Sequence, residues 1–229
     1  MPNEHRTNGG AGPSAPEGAR RKAEHFAETR DWPGYFEAVL GKAARETLID
    51  ALARFESDGA KPGFAIDFGC GEGRDSAELL RRGWRVLAID GNESAFEYMK
   101  RRTNFPRVAR DPARFETRLV RMEDADLPPC DLLNASFSLP FVDPARFDEV
   151  WARIVASVRT GGRFAGQLFG ERDSWAALPD RSHQTRARVD ELLRAFHVEH
   201  FQEDERDGSD CLHNAKHWHV FHIVARKRG

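Results

Sequence analysis

Polar and small residues fill the first stretch of the chain. Residues 1–20 (MPNEHRTNGGAGPSAPEGAR) hold no apolar residue larger than Ala apart from Met1. Such a segment cannot bury a core, and a disordered arm is expected there. Hydrophobic periodicity then sets in. Tyr35, Val39, Leu48, Leu52 and Phe55 recur at helical spacing, broken only by Gly41. The pattern predicts helix from 35 to 55, stopped by Gly59, Pro62 and Gly63. Short apolar runs and helical stripes alternate from there on. Strands are predicted over 64–68, 85–90, 118–121, 131–134 and 163–169. Between them, helices are predicted over 76–82, 93–102 and 147–158. The second carries Ser94 and Glu97 at capping-box spacing, and the third a stripe of Phe147, Val150, Trp151, Ile154 and Val158 that ends at Gly161-Gly162. A helix over 185–196 leads into two extended runs, 197–206 and 216–226, which with the turn residues 207–210 predict a terminal β-hairpin. Strands alternating with helices predict an α/β fold, with a parallel sheet covered by helices on both faces.

Composition narrows the class. At 229 residues the chain suffices for one large domain, which buries enough apolar surface to need no staple. No repeat or second domain is visible: residues 1–20 read as an arm and 21–229 as one domain. Lys plus Arg number 35 and Asp plus Glu 37, so no sequence-wide attraction to nucleic acid or acidic membranes is expected. Three scattered cysteines, Cys70, Cys130 and Cys211, suggest no disulfide framework and a reducing compartment. No run approaches the roughly 18 apolar residues of a membrane span, and the first 25 residues have no apolar core of a secretory signal. A cytoplasmic location is expected.

The chemistry concentrates in Asp67-Phe68-Gly69-Cys70-Gly71-Glu72-Gly73, between a predicted strand and a predicted helix. Gly69 and Gly71 allow a sharp turn and close approach to a ligand. Gly73 permits tight contact at the start of the helix, whose free N–H groups favour an anionic group. A dinucleotide fingerprint needs G-x-G-x-x-G, but Arg74 occupies its last position. The loop, G-x-G-x-G after an acidic residue, resembles motif I of the class I S-adenosylmethionine-dependent methyltransferases. The resemblance continues over roughly residues 35–229.

What it implies is specific. The fold would be a single doubly wound Rossmann-like domain, with a mostly parallel seven-stranded sheet and an antiparallel C-terminal hairpin. The cofactor would be S-adenosyl-L-methionine, held by Asp67, Phe68, Gly69, Cys70, Gly71 and Gly73. Asp90 and Gly91 follow, Asp90 taking the two ribose hydroxyls with its two oxygens. Glu123, with Asp124 beside it, matches the acidic residue that receives the adenine amino group. Asn134 and Ala135 stand where the family's chain passes the methionine part. The resemblance is to the small-molecule branch, the tellurite-resistance and thiopurine-type enzymes.

The sulfonium methyl is already electrophilic, so alignment supplies much of the rate and no universal catalytic residue exists. The catalytic residues stay unknown, with Gln167, His217 and His219 as candidates. Trp32, Tyr35, Phe137, Gln167 and Trp175 are candidates for the acceptor pocket. Trp32, Tyr35 and Trp175 read equally well as packing. Asn134-Ala-Ser-Phe137 lacks both prolines of the Asn-Pro-Pro-aromatic motif of enzymes that methylate base amino groups, which speaks against DNA. Histidines 213, 217, 219 and 222 near Cys211 lack fixed zinc spacing, and no metal is expected. The small size favours a small-molecule acceptor. Methylation of a protein or nucleic-acid group stays open, as does a cofactor-binding regulatory protein without turnover or a nicotinamide enzyme.

Overall fold

The computed structural model describes residues 31–229, so the expected arm over 1–20 lies outside the described residues. Among the described residues there are six α-helices, and eight strands form one sheet. They are α1 (Trp32–Val39), α2 (Glu46–Ser57), β1 (Phe64–Phe68), α3 (Arg74–Arg81), β2 (Arg85–Asp90), α4 (Glu93–Arg101), β3 (Phe115–Leu119) and β4 (Cys130–Ala135). The chain continues through α5 (Phe147–Ser157), β5 (Val158–Gly170), β6 (His183–Gln184), α6 (Arg186–Leu192), β7 (Phe196–Ser209) and β8 (Ala215–Lys227). The strand order is β3-β2-β1-β4-β5-β8-β7, and the two-residue β6 pairs with β5. β1 to β5 run parallel, and β8 inserts antiparallel between β5 and β7. This is the Rossmann-like methyltransferase architecture expected from the sequence.

The period-2 alternation of the strands divides the core between the two faces. Ala65, Val86, Leu132 and Val224 pack with Leu48, Leu52 and Phe55 of α2 and Leu79 and Leu80 of α3. Ile66, Leu87, Leu133 and Ile223 pack with Phe147, Val150, Trp151 and Ile154 of α5 and with Val189 and Leu192 of α6. The side chains of the inner strands are thus covered by helices on both sides, which explains why these strands read as nearly continuous apolar runs.

Several boundaries differ from expectation, each for a local reason. The helix predicted over 35–55 is two helices. Leu40 is extended (φ −56°, ψ 130°) and Gly41 left-handed (φ +84°), so the chain leaves α1 and re-enters helix only at Glu46. α4 is capped by Asn92, whose Oδ1 accepts from Ser94 N at 3.0 Å, rather than by a Ser94–Glu97 box. β3 lies three residues earlier than predicted, at a largely exposed edge where periodicity is weak. α5 ends at Ser157, before the glycine pair, and Gly161 takes its positive φ (+79°) within β5 instead. The hairpin is longer than predicted and turns at 210–214, where Asp210 Oδ1 accepts from Leu212 N and Asn214 N.

Candidate cofactor and acceptor cavity

A cavity of about 570 Å³ opens at the carboxyl ends of β1, β2, β4 and β5, where open α/β sheets bind ligands. At one end it is built from the glycine loop. Gly69 and Cys70 both donate their N–H to Ile89 O at 2.9 Å, folding the loop back onto β2. Gly69 (φ +76°) and Gly71 (φ +52°) are left-handed. A Cβ on Gly69 would run into the Ser138 side chain, and one on Gly71 would press on Phe36 at 3.2 Å. Only glycine satisfies both constraints.

Asp90 closes that end. Its Oδ2 accepts from Gly71 N and its Oδ1 from Asn92 N, each at 2.9 Å. Burial pushes its carboxyl above the usual range, against the pull of those two N–H groups. A carboxylate offers about four lone-pair positions, so two remain for a ligand. Glu123 also lines the cavity. Burial opposes its ionisation, but Arg121 and the Asp143 N–H at 2.9 Å hold it below the usual range. Asp124 turns away and pairs with Arg146 at 2.7 Å.

Two further carboxylates sit at the centre. Asn134 Nδ2 donates to both Asp67 Oδ1 and Asp75 Oδ2 at 2.9 Å. Ser76 donates to the other Asp67 oxygen at 2.6 Å. Burial, together with the neighbouring Asp75, pushes Asp67 up to about 7. Beside them Glu72 accepts from Arg74 Nε at 3.0 Å and Arg102 Nη1 at 3.1 Å. Arg74 lines the cavity, is 8 % exposed, and its buried Nη2 has no hydrogen-bond partner among the described residues.

The other end is aromatic. Trp32 of α1 contacts Phe141 (4.7 Å between centroids), which contacts Trp175 (6.0 Å) and, through it, Trp218 (6.2 Å). Phe137 joins Trp218 (6.4 Å) to His222 (6.0 Å). Tyr35 lines the same end.

Not every expected site residue faces this space. Gln167 is 1 % exposed and outside the lining. Its Oε1 accepts from Phe137 N at 3.0 Å and its Nε2 donates to Thr47 Oγ1 at 2.8 Å, so it braces the wall from behind. His217 and His219 lie on the face of β8 opposite the cavity. His217 pairs with Asp207 at 2.7 Å, and His219 is buried over Gly170 and meets Glu203 at 3.0 Å. The cavity histidine is His222, one parity step away. Phe68, Gly73, Asn134 and Ala135 lie outside the lining as well. Asn134 acts through Asp67 and Asp75, and a Cβ on Gly73 would collide with Met99 of α4. Arg45 and Asp75 are cavity residues that the sequence patterns do not mark, while Arg74 and His222 enter there only as a departure from a glycine fingerprint and as one of the C-terminal histidines. Arg74 and Asp75 carried one usable signal, their place directly after the glycine loop at the start of a helix.

Residues 65–162 match the family model of a methyltransferase domain. Over these residues the chain carries a methyltransferase domain. Solved structures agree on the fold. TehB from Haemophilus influenzae superposes with a TM-score of 0.65 at 16% identity, over 90% of this chain and 67% of its own. The 1,6-didemethyltoxoflavin-N1-methyltransferase of Burkholderia thailandensis, crystallised with 1,6-didemethyltoxoflavin and S-adenosylhomocysteine, gives 0.57 at 20% identity, over 96% and 93%. The magnesium protoporphyrin IX methyltransferase of Synechocystis, crystallised with S-adenosylmethionine, gives 0.61 at 12% identity, over 94% and 100%. No curated protein matched the sequence significantly. Among the described residues, no helix is long and apolar enough to cross a membrane.

A methyltransferase domain implies S-adenosylmethionine as cofactor, and the residues present fit it. Gly69 and Gly71 clear a cradle that any Cβ would fill. Asp90 keeps lone pairs for a diol, and the orphaned Arg74 Nη2 suits a carboxylate.

Proposed function

We propose that this methyltransferase moves a methyl group to a small-molecule acceptor in the cytoplasm. The observation that carries the proposal is the two-ended cavity: polar cradle at one end, aromatic walls at the other. When bound, S-adenosylmethionine would supply an electrophilic methyl group for an acceptor lone pair. The chain's own residues bind and orient. Asp90 holds the ribose hydroxyls, Arg74 the amino-acid carboxylate, and the Asp67–Asp75 pair the ammonium. Cys70, Gly91 and Glu123 line the space beside the adenosine. Trp32, Tyr35, Phe137 and Trp175 hold the acceptor and exclude water, and alignment provides most of the acceleration. Metabolite extract incubated with methyl-labelled cofactor tests this. A labelled small molecule is expected; label found only in protein or nucleic acid, or tight cofactor binding without turnover, refutes it. Saturable NADH binding that S-adenosylhomocysteine does not displace refutes the cofactor assignment.

The Asp67–Asp75 assignment gives binding a pH dependence. In the free protein burial holds the Asp67 proton up to about pH 7. An ammonium beside it favours the ionised form. The bound state therefore holds fewer protons than the free state below pH 7. Affinity for S-adenosylhomocysteine should rise with pH through 6 to 7, then level off. Calorimetry at pH 6 in two buffers of different ionisation enthalpy should show proton release, absent in Asp67→Asn. Affinity that stays flat across this range contradicts the assignment.

A further inference from the structure

One cation at the aromatic end is left without a counterpart. Arg45 stands just before α2 and is fixed through its backbone, whose N–H donates to Asp75 Oδ1 at 2.9 Å. Its guanidinium lies over the Phe137 ring, 4.3 Å from the centroid, and its Nη2 is 3.4 Å from the Tyr35 oxygen. Among the described residues no carboxylate pairs with that guanidinium. The other cavity arginines each have a carboxylate partner: Arg206 with Asp204 at 2.9 Å, Arg121 with Glu123 at 3.3 Å, and Arg74 through its Nε with Glu72, its Nη2 being the atom assigned above to the cofactor carboxylate. Lys42 adds a second positive charge to the lining.

The histidine beside Phe137 is also a donor. Phe137 N–H can only donate, so the Gln167 end that accepts it must be Oε1. The amide nitrogen then faces Thr47 and, at 3.5 Å, His222 Nδ1. With Nδ1 accepting, the neutral ring carries its hydrogen on Nε2. Burial holds His222 below the usual histidine range, which keeps the ring neutral near pH 7. The aromatic chamber therefore offers a guanidinium, an imidazole N–H and a phenol around one ring.

We propose that the acceptor is a flat aromatic molecule bearing a carboxylate, with Arg45 and His222 holding the carboxylate and the aromatic walls stacking the ring. Arg–carboxylate recognition is planar and charge-assisted, as a guanidinium without a protein partner requires. Trp and Tyr faces supply sequence-tolerant stacking area around it. The proposal rests on the methyl-transfer reading for its meaning, but its test reads binding.

The full chain loaded with S-adenosylhomocysteine is titrated calorimetrically with 2-naphthoate and indole-3-carboxylate, and with the matching carboxamides. Each acid should bind at least tenfold more tightly than its amide. Arg45→Gln should remove that preference, Arg45→Lys should restore part of it, and both variants should keep wild-type affinity for S-adenosylhomocysteine. Equal binding of acid and amide, or no binding of either acid, overturns the proposal. So does an Arg45→Gln protein that loses S-adenosylhomocysteine affinity along with the acid, since Arg45 would then serve the cofactor. If the wild type binds no S-adenosylhomocysteine, the methyl-transfer reading fails by itself. The same titrations on the free protein then decide the carboxylate site: acid preference dependent on Arg45 supports it, and its absence overturns it.

Discussion

Lys216→Met should lower stability by about 3–5 kcal/mol, the scale for breaking a buried ion pair from one side. Lys216 Nζ pairs with Asp173 Oδ1, and the two side chains are 1 % and 0 % exposed. Burial pushes the lysine down to about 8, against the pull of Asp173. The ammonium also lies over Trp175 (3.9 Å) and Trp218 (4.5 Å), two walls of the acceptor chamber. Removing it strands the Asp173 carboxylate, which also accepts from Trp175 N at 2.9 Å and His219 N at 3.2 Å. The carboxylate cannot simply move to water without breaking those bonds. Thermal unfolding followed by circular dichroism should show a midpoint lower by about 6–20 °C for a domain of this size. Adding Asp173→Asn should recover part of the loss, because the buried charge is gone, but not all of it, because only one of the two backbone N–H groups keeps an oxygen acceptor. A single variant within about 1 kcal/mol of wild type would contradict this, since pairs of no consequence are found at exposed positions.

What the sequence made legible was local. The glycine loop, β1, β2 and Asp90 follow from turn chemistry and short apolar runs within about 25 residues of chain. The cavity wall was less legible because it depends on pairing between distant strands. Parity alone separates His217 and His219 from His222, but not which face looks inward. That is settled by the β5–β8 register, which sets Gln167 opposite His222, and by Thr47 of α2 covering Gln167 from outside the cavity. Arg45 was hidden for another reason. It fell inside a predicted continuous helix, and the break that frees it rests on one left-handed glycine, Gly41, and an extended Leu40. Periodicity averages over such a break: the apolar spacing on either side still fits one helix.

Asp90→Ala should weaken S-adenosylhomocysteine binding by about 1–3 kcal/mol, the scale of hydrogen bonds to a charged acceptor, or about 5- to 150-fold. Two effects add. The first is direct: the lone pairs left over from Gly71 N and Asn92 N are lost to the ribose diol. The second is on the loop. Gly71 N–H and Asn92 N–H lose their acceptor, and the left-handed turn that clears space for the cofactor is tied to β2 only through the Gly69 and Cys70 N–H groups on Ile89 O. Asp90→Asn does not rescue this, because one of the two N–H groups would then face an amide nitrogen. The two effects separate with a 2′-deoxy analogue of S-adenosylhomocysteine. Wild type should bind it more weakly than the parent ligand. Asp90→Ala should bind both equally, since its remaining deficit belongs to the loop and not to the hydroxyl. A folded Asp90→Ala protein that still discriminates the two ligands, or binds both as wild type does, would remove Asp90 from the ribose and with it the main polar anchor of the proposed cofactor site. Equal affinity of Asp90→Ala for the two ligands, below the wild-type affinity for the 2′-deoxy analogue, assigns the carboxylate both tasks: organising the loop and reading the sugar.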